Sequence, residues 1–171
     1  MTKDQLQSEI LNVAKLTGEF KLRSGQTSSV YFDKYQFESR PKLLSAIATH
    51  LKDMIPSDTE VLAGLELGGV PVATALSLLT GIPVAFIRKS AKDYGTCKFA
   101  EGVDIKGKKV CAIEDVITTG GQVVLSTNDL RAEGAQIHTI CSVIFRGKAF
   151  PPKFKELDIE LKSLFDFSSL T

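Results

Sequence analysis

Residues 109–122 of the chain read KVCAIEDVITTGGQ. The run opens with four apolar residues at 110–113, a pattern typical of a strand that is buried on both faces of a parallel sheet. Glu114 and Asp115 close this run, which predicts that they lie at the carboxyl edge of the sheet, where open α/β sheets bind their ligands. A small, hydroxylated turn follows, and residues 122–130 are predicted to form a helix.

This order of strand, tight turn and helix favours an anion-binding site. Free backbone N–H groups, the positive end of the helix dipole and the hydroxyls of Thr118 and Thr119 all suit a negative ligand. Because Glu114 and Asp115 would repel a bare phosphate, the ligand should also carry hydrogen-bond donors or a cation. A ribose 5-phosphate fits, since its 2- and 3-hydroxyls can donate to the acids. The alternative, a capped helix beside two incidental acids, is disfavoured because unpaired neighbouring acids are costly.

The composition is that of an ordinary globular protein. A length of 171 residues suits one domain. Of these residues, 43% are hydrophobic and 24% are charged. A net charge of +1 without a long basic run argues against a nucleic-acid partner. No apolar run approaches a membrane span, and the N-terminus lacks the apolar core of a signal peptide. Cys97, Cys111 and Cys141 form no C-x-x-C pair, which predicts reduced thiols, a cytoplasmic protein and no metal site.

Predicted strands alternate with predicted helices, which favours a single open parallel α/β sheet. The chain contains neither G-x-x-x-x-G-K-[ST] nor G-x-G-x-x-G, which disfavours a P-loop and a dinucleotide site. The tail from 150 to 171 is expected to add an edge strand or to pack back on the N-terminal part. The other expected elements are amphipathic helices at 2–18 and 39–55, strands at 60–64, 84–87 and 135–145, and a hairpin within 20–35.

The stretch at 109–122 resembles the signature of the type I phosphoribosyltransferases, which use 5-phosphoribosyl 1-diphosphate (PRPP). That signature has several apolar residues, two acids, two apolar residues and then Thr-Thr-Gly or a close variant. Glu in place of the first Asp is a variation seen in the family. The motif indicates the ribose-phosphate ligand and leaves the base open. The resemblance implies one phosphoribosyltransferase domain over 1–171, an open parallel sheet flanked by helices, and a small hood mainly at 18–35.

A further resemblance concerns the base. The Leu-Arg-Ser-Gly run at 22–25, followed by Tyr31 and Phe32, is similar to the N-terminal hood of orotate phosphoribosyltransferases. By this resemblance Arg23, Tyr31 and Phe32 help to hold the pyrimidine. A flat ring stacks on an aromatic face, and the carboxylate of orotate needs a cation. Arg146, at the end of the strand predicted at 135–145, matches the arginine that pairs with that carboxylate.

The long polar run at 88–102 resembles the catalytic loop of the same enzymes. Arg88, Lys89 and Lys92 match the cations that close over pyrophosphate, and Tyr94 stands where many relatives have His. On composition alone, the run would be a solvated surface loop. In the family this loop reaches across a dimer interface, so the resemblance implies a homodimer with shared active sites.

A pair of glycines, Gly68 and Gly69, follows the strand predicted at 60–64 and would let backbone N–H groups approach a ligand. In the resembling family this turn contacts pyrophosphate, and many orotate enzymes carry a Lys at the position of Gly68. The implied PRPP-binding residues are Gly68, Gly69, Arg88, Lys89, Lys92, Glu114, Asp115, Val116, Ile117, Thr118, Thr119, Gly120, Gly121 and Gln122. The implied orotate-binding residues are Arg23, Tyr31, Phe32, Thr118 and Arg146.

The resemblance implies that orotate and PRPP react to give orotidine 5-phosphate and pyrophosphate, in the de novo synthesis of UMP. Lys92 and Asp115 are the expected catalytic residues: the lysine neutralises the departing pyrophosphate and the carboxylate favours positive charge on the sugar. Mg²⁺ is expected to arrive on the diphosphate, with no protein ligand. Two alternatives stay open. One is a transferase for another nucleobase; the other is a non-catalytic regulator that senses PRPP.

Overall fold

The computed structural model describes residues 1–21, 25–89 and 99–167. Its main sheet contains the strands β3 (Val61–Leu65), β4 (Val84–Ile87), β5 (Ala100–Gly102), β6 (Lys109–Ile117), β7 (Gln136–Phe145) and β8 (Glu160–Asp166). Among the described residues these six strands follow the order β5-β4-β3-β6-β7-β8. Neighbours run parallel except β4 and β5. The predicted open parallel sheet is confirmed, with an antiparallel edge strand that the sequence did not indicate.

Helices cover both faces of this sheet. They are α1 (Lys3–Ala14), α2 (Tyr35–Glu38), α3 (Pro41–Leu51), α4 (Gly69–Thr80), α5 (Gly121–Ala132) and α6 (Pro152–Glu156). Side chains of α1, α3 and α4 form one core cluster, and those of α5 and α6 form another. Cys111 and Ile113 belong to the first cluster and Val110 and Ala112 to the second, so β6 is buried on both faces as predicted. No helix in the described ranges has the length and apolarity needed to cross a bilayer.

The N-terminal part forms an antiparallel hairpin of β1 (Lys15–Lys21) and β2 (Thr27–Phe32), in a sheet of its own. The predicted helix at 2–18 was wrong in its end, because α1 stops at Ala14. The carbonyl of Ala14 accepts a hydrogen bond from the backbone N–H of Asp33 at 2.8 Å, which ties the end of the helix to the end of the hairpin. The hairpin therefore begins at residue 15, earlier than the hood predicted at 18–35.

The tail does both things that the sequence allowed. β8 pairs with β7 in parallel at the edge of the sheet. Phe167, directly after it, meets the ring of Phe32 on the hairpin edge to face, with ring centroids 6.4 Å apart. The tail thus joins the main sheet to the hairpin.

Candidate active site

A cleft of about 470 Å³ opens at the carboxyl ends of β3 and β6. Loops that follow parallel strands meet at this edge, so residues distant in sequence line one cavity. We call it the main cleft. Its lining residues are Lys34, Tyr35, Glu66, Leu67, Lys89, Glu114 and residues 116–123.

The floor of the main cleft is the turn at 118–122, between β6 and α5. Gly120 has φ of 73°, in the left-handed region that favours glycine, and this conformation starts the helix at Gly121. Among the described residues no side chain caps this helix end, and Thr118 and Thr119 are exposed. Free N–H groups, the helix dipole and hydroxyls therefore face one cavity, which can hold a phosphate.

Glu114 and Asp115 lie inside β6 and not at its end as predicted. The strand continues to Ile117 because it stays paired with β7, whose Phe145 is the partner of Ile117. Glu114 is 8% exposed and lines the main cleft, whereas Asp115 is 0% exposed and does not belong to the lining. A ligand in the cleft can therefore meet Glu114 directly, while Asp115 lies one layer behind the surface.

The residues that cover Asp115 were missed by the sequence reasoning. Lys34, between β2 and α2, places its ammonium nitrogen 2.7 Å from Oδ2 of Asp115. A Cβ added to Gly68 would lie 1.6 Å from the same Oδ2 and 2.8 Å from Oε1 of Glu38, so both carboxyl oxygens converge on this glycine. A buried carboxylate is usually paired with a cation or a donor, so a partner of Asp115 could have been expected from the sequence. That expectation does not say which residue is the partner. A side chain at position 68, including the lysine of many orotate enzymes, does not fit this arrangement.

Lys34, Glu38, Glu114 and Asp115 form an acid cluster. Within it the pKa values of Glu38 and Glu114 are raised, whereas that of Asp115 is lowered. Burial, followed by the hydrogen bond to Asp115, raises the pKa of Glu38 to about 10. Burial and the same aspartate also raise the pKa of Glu114 well above its usual value. For Asp115, burial works toward a higher pKa, but hydrogen bonds from Glu114 and Glu38 and the charge of Lys34 outweigh it and lower the pKa. Burial likewise opposes the charge of Lys34, yet Asp115 raises its pKa.

Near neutral pH Glu38 therefore keeps its proton, and the surroundings of Glu114 also favour its neutral form, whereas those of Asp115 and Lys34 favour their charged forms. These shifts reduce the repulsion that two ionised acids would exert on a phosphate. From the sequence we expected the ligand to carry a donor or a cation that offsets the acids. In the structure the protein itself provides a proton on Glu38 and the cation of Lys34.

The raised pKa of Glu38 predicts how stability varies with pH. Its pKa is 4.5 as an ordinary side chain and about 10 in the fold, so between these values the folded protein holds a proton that the unfolded chain releases. The free energy of unfolding should fall as pH rises through this window, by up to about 1.4 kcal/mol per pH unit for one proton. Glu38→Gln keeps a donor toward Asp115 but has no proton to lose, so its stability should fall less steeply.

Urea unfolding at a series of pH values, from about 5 to about 9, measures this slope. The matched control is Glu9→Gln, which changes an exposed residue of α1 and should leave the slope as in the wild type. Equal slopes for wild type and Glu38→Gln would contradict the proton assigned to Glu38.

The turn after β3 and the end of β4 are joined beside the main cleft. The backbone N–H of Lys89 donates to Oε2 of Glu66 at 3.0 Å, and the backbone N–H of Glu66 donates to the carbonyl of Ile87 at 2.9 Å. Lys89 is exposed and lines the cleft, while Arg88 is half-buried and outside its lining. Gly68 and Gly69 are buried behind the wall. Lys89 and the 118–122 turn thus line the same cleft, and their binding of PRPP stays a prediction.

A neighbouring cavity of about 270 Å³ contains two of the residues expected to hold the base, Phe32 and Arg146. The guanidinium of Arg146 lies 4.6 Å from the ring centroid of Phe32, a cation–π contact, and burial lowers the pKa of Arg146. We call this space the Arg146 cavity. It is lined by Leu11, Asn12, Lys15, Val30, Phe32, Arg146 and Phe167.

Tyr31 does not join the Arg146 cavity. Alternate residues of a strand face opposite sides, and Val30 and Phe32 take the cavity side of β2. Tyr31 is 44% exposed and packs against Phe20, with ring centroids 5.4 Å apart. The predicted aromatic pair is therefore split, and Phe32 is its member beside Arg146. Lys15, also missed by the sequence reasoning, adds a second cation to the lining.

The main cleft and the Arg146 cavity lie side by side. The backbone N–H of Arg146 donates to the carbonyl of Ile117 at 2.8 Å, directly before the 118–122 turn. An anion site and a pocket with a cation over an aromatic ring are thus adjacent. A ligand with a phosphate at one end and a flat acidic ring at the other would match them.

Other predicted site residues lie outside the described residues. Arg23 belongs to the gap at 22–24, and Lys92 and Tyr94 belong to the gap at 90–98. In the described part of the chain, no group of three or more His, Cys, Asp or Glu side chains could hold a metal ion.

Comparison with known proteins agrees with this geometry. Residues 36–166 match the family model described as phosphoribosyl transferase domain. An orotate phosphoribosyltransferase of a Nocardioides species is 47% identical over 171 residues, which cover 99% of this chain and 96% of the relative. The crystal structure of Mycobacterium tuberculosis H37Rv orotate phosphoribosyltransferase with Fe(III) dicitrate has a TM-score of 0.85 at 25% identity, over 98% of both chains. A structure of that enzyme in complex with PRPP has a TM-score of 0.82 at 21% identity, again over 98% of both chains.

The fold and the anion site are those of a phosphoribosyltransferase. Because the family model spans most of the chain and a near full-length relative is 47% identical, the chain belongs to the phosphoribosyltransferase family, within it to the orotate phosphoribosyltransferases.

Proposed function

We propose that the protein transfers the 5-phosphoribosyl group of PRPP to orotate, which yields orotidine 5-phosphate and pyrophosphate in the synthesis of UMP. A relative named for this activity is 47% identical over 171 residues. The observation that carries the proposal is the hydrogen bond of 2.8 Å between Arg146 and Ile117, since it joins the phosphate turn to the cavity suited to an acidic ring.

Different residues of the main cleft bind different parts of PRPP. The 118–122 turn holds the 5-phosphate through N–H groups and hydroxyls. Glu114, on the cleft wall, exchanges hydrogen bonds with the ribose hydroxyls. Asp115 is buried behind the cleft wall, and from there its negative charge favours the positive charge that develops on the sugar. Lys89 faces the departing diphosphate, a role that we also assign to Arg88, Lys92 and backbone groups near Gly68 and Gly69.

The Arg146 cavity holds the base. The guanidinium of Arg146 pairs with the carboxylate of orotate, and Phe32 and Thr118 border the ring. For Arg23 and Tyr31, contact with the base stays a prediction. The ring nitrogen of orotate needs orientation more than activation, because a site that aligns the two reactants removes much of the entropic barrier.

Mg²⁺ would enter the main cleft on the diphosphate oxygens. The carboxylate of Glu66 lies on the cleft wall and offers oxygen atoms that suit the water shell of this ion. When bound, the ion would supply charge neutralisation for the leaving diphosphate. The homodimer, the cytoplasmic location and the single domain over 1–171 also remain proposals.

The test follows the ultraviolet absorbance of orotate in the presence of PRPP and Mg²⁺, and compares wild type with Arg146→Met. We expect the wild type to consume orotate. We expect the variant to raise KM for orotate roughly 10- to 100-fold, the range for a lost charge-assisted hydrogen bond, with little change in KM for PRPP. Arg40→Met is the matched control, because Arg40 is exposed and lines neither cavity.

A folded wild-type protein that consumes no orotate would contradict the proposal. Turnover of a purine or another pyrimidine in the same assay would favour a transferase for another nucleobase. Binding of PRPP without turnover of any base would favour a regulator.

A further inference from the structure

We propose that Lys34 is a further substrate-binding residue, which holds an anionic oxygen of the diphosphate of PRPP, and that Asp115 and Glu38 position it. The inference rests on the proposed function, because it assigns a contact within the same PRPP site. Neither the sequence motif at 109–122 nor the cations at 88–92 include this lysine.

Lys34 lies at the boundary between the buried acids and the main cleft. Its side chain is 33% exposed, whereas that of Asp115, 2.7 Å from its ammonium nitrogen, is 0% exposed. It lines the cleft together with Lys89 and the 118–122 turn. An ammonium group carries three N–H donors, so the contact with Asp115 leaves donors for a ligand. Lys34 therefore presents to the cleft a cation whose counter-ion is hidden behind it.

The backbone around Lys34 is held firmly for a lysine on a connecting segment. The carboxylate of Asp33 accepts hydrogen bonds from the backbone N–H of Tyr35 at 3.1 Å and from the side chain of Gln36 at 3.0 Å. The N–H of Asp33 donates to the carbonyl of Ala14. The Lys34 ammonium also lies 5.5 Å from the ring centroid of Tyr35. A cation fixed before binding loses less entropy when the ligand arrives.

Glu38 completes the arrangement from the buried side. Its side chain is 7% exposed, and among the described residues its Oε1 meets no N–H or O–H donor. That oxygen and Oδ2 of Asp115 both approach Gly68, so the two carboxyl groups face each other there. A proton carried by Glu38 can be donated to Asp115, which then keeps its full charge and its fixed orientation toward Lys34. Glu38 thus acts through Asp115 on the lysine.

The experiment measures the binding of inorganic pyrophosphate with Mg²⁺, and of ribose 5-phosphate, by isothermal titration calorimetry. The main variant is Lys34→Gln, whose amide can still donate to Asp115 but carries no charge. We expect its affinity for pyrophosphate to fall about thirtyfold, as for one charge-assisted hydrogen bond, and that for ribose 5-phosphate to change less than about threefold. Lys34→Arg should recover most of the pyrophosphate affinity.

Turnover gives an independent measurement. In Lys34→Gln the KM for PRPP should rise by a similar factor, while the KM for orotate stays near the wild-type value. Lys42→Gln, at an exposed lysine of α3 outside the cleft lining, is the matched control. Glu38→Leu should weaken pyrophosphate binding through the loss of the donor to Asp115, and Glu38→Gln should restore most of that affinity, because an amide can also donate to Asp115.

Unchanged pyrophosphate affinity in folded Lys34→Gln would overturn the inference. Equal weakening of both ligands would also overturn it, since that is the result of a collapsed cleft. The binding measurement does not need orotate. A wild type that binds pyrophosphate but consumes no orotate would therefore contradict the proposed base, whereas the measured pyrophosphate affinities would still test the role of Lys34. A wild type that binds neither ligand would overturn both proposals.

Discussion

Asp115→Asn should lower kcat about a hundredfold while KM for PRPP stays within about threefold of the wild type. The substitution keeps the shape of the side chain and removes its charge, in a position that is 0% exposed and 2.7 Å from Lys34. Low-dielectric surroundings make this charge felt in the cleft. The charge acts mainly on the positive sugar of the transition state. In the ground state the amide oxygen of asparagine can still accept a hydrogen bond from Lys34, which keeps this lysine in place for PRPP.

Steady-state kinetics with PRPP varied at saturating orotate measures both constants. Asp129→Asn is the control, since it makes the same change at an exposed position of α5. A large rise in KM for PRPP with unchanged kcat would contradict the electrostatic role, because it would mean that Asp115 serves only to hold Lys34 for ground-state binding.

Gly69→Ala should lower the free energy of unfolding by roughly 3 kcal/mol or more. A Cβ at this position would lie 2.2 Å from the carbonyl oxygen of Ile113, a backbone atom of the central strand β6 that cannot rotate away. The start of α4 would have to move off the sheet. For a chain of this length the expected fall in Tm is roughly 6–12 °C.

Thermal and urea unfolding measure this loss. Gly121→Ala is the matched control, because it adds the same methyl group to the first residue of α5, where the nearest atom is 3.9 Å away. Its stability should stay within about 0.5 kcal/mol of the wild type or rise slightly, since alanine favours a helix. Similar losses for both variants would show that the approach of Gly69 to β6 is not what matters.

The charge state of the acid cluster links these predictions. Two adjacent carboxyl groups at a phosphate site would be unfavourable if both were ionised. The proton on Glu38, the raised pKa of Glu114 and the ammonium of Lys34 limit the negative charge around Asp115. The site can thus accept a polyanion and still supply negative charge next to the sugar.

Local sequence patterns were enough to predict the parallel strands and the turn at 118–121, and the resemblance of the motif at 109–122 was enough to predict the family. Apolar runs of strand length specify buried strands, and the glycines and threonines at 118–121 specify a turn with free N–H groups, because these properties depend on neighbours in the chain. The predicted N-terminal helix ran too far because the hydrogen bond that ends it, from Asp33 to Ala14, joins distant segments.

The groups that surround Asp115 could be identified only from the packed fold. Lys34, Glu38 and Gly68 reach it from separate segments, and neither hydrophobic periodicity nor a local motif indicates such a meeting. The same holds for the arrival of Phe167 at the Arg146 cavity. The separation of Tyr31 from Phe32, by contrast, follows from the alternation of side chains along β2. Local patterns specify elements through contacts a few residues apart, whereas charge pairing and pocket walls depend on how packed elements bring distant side chains together.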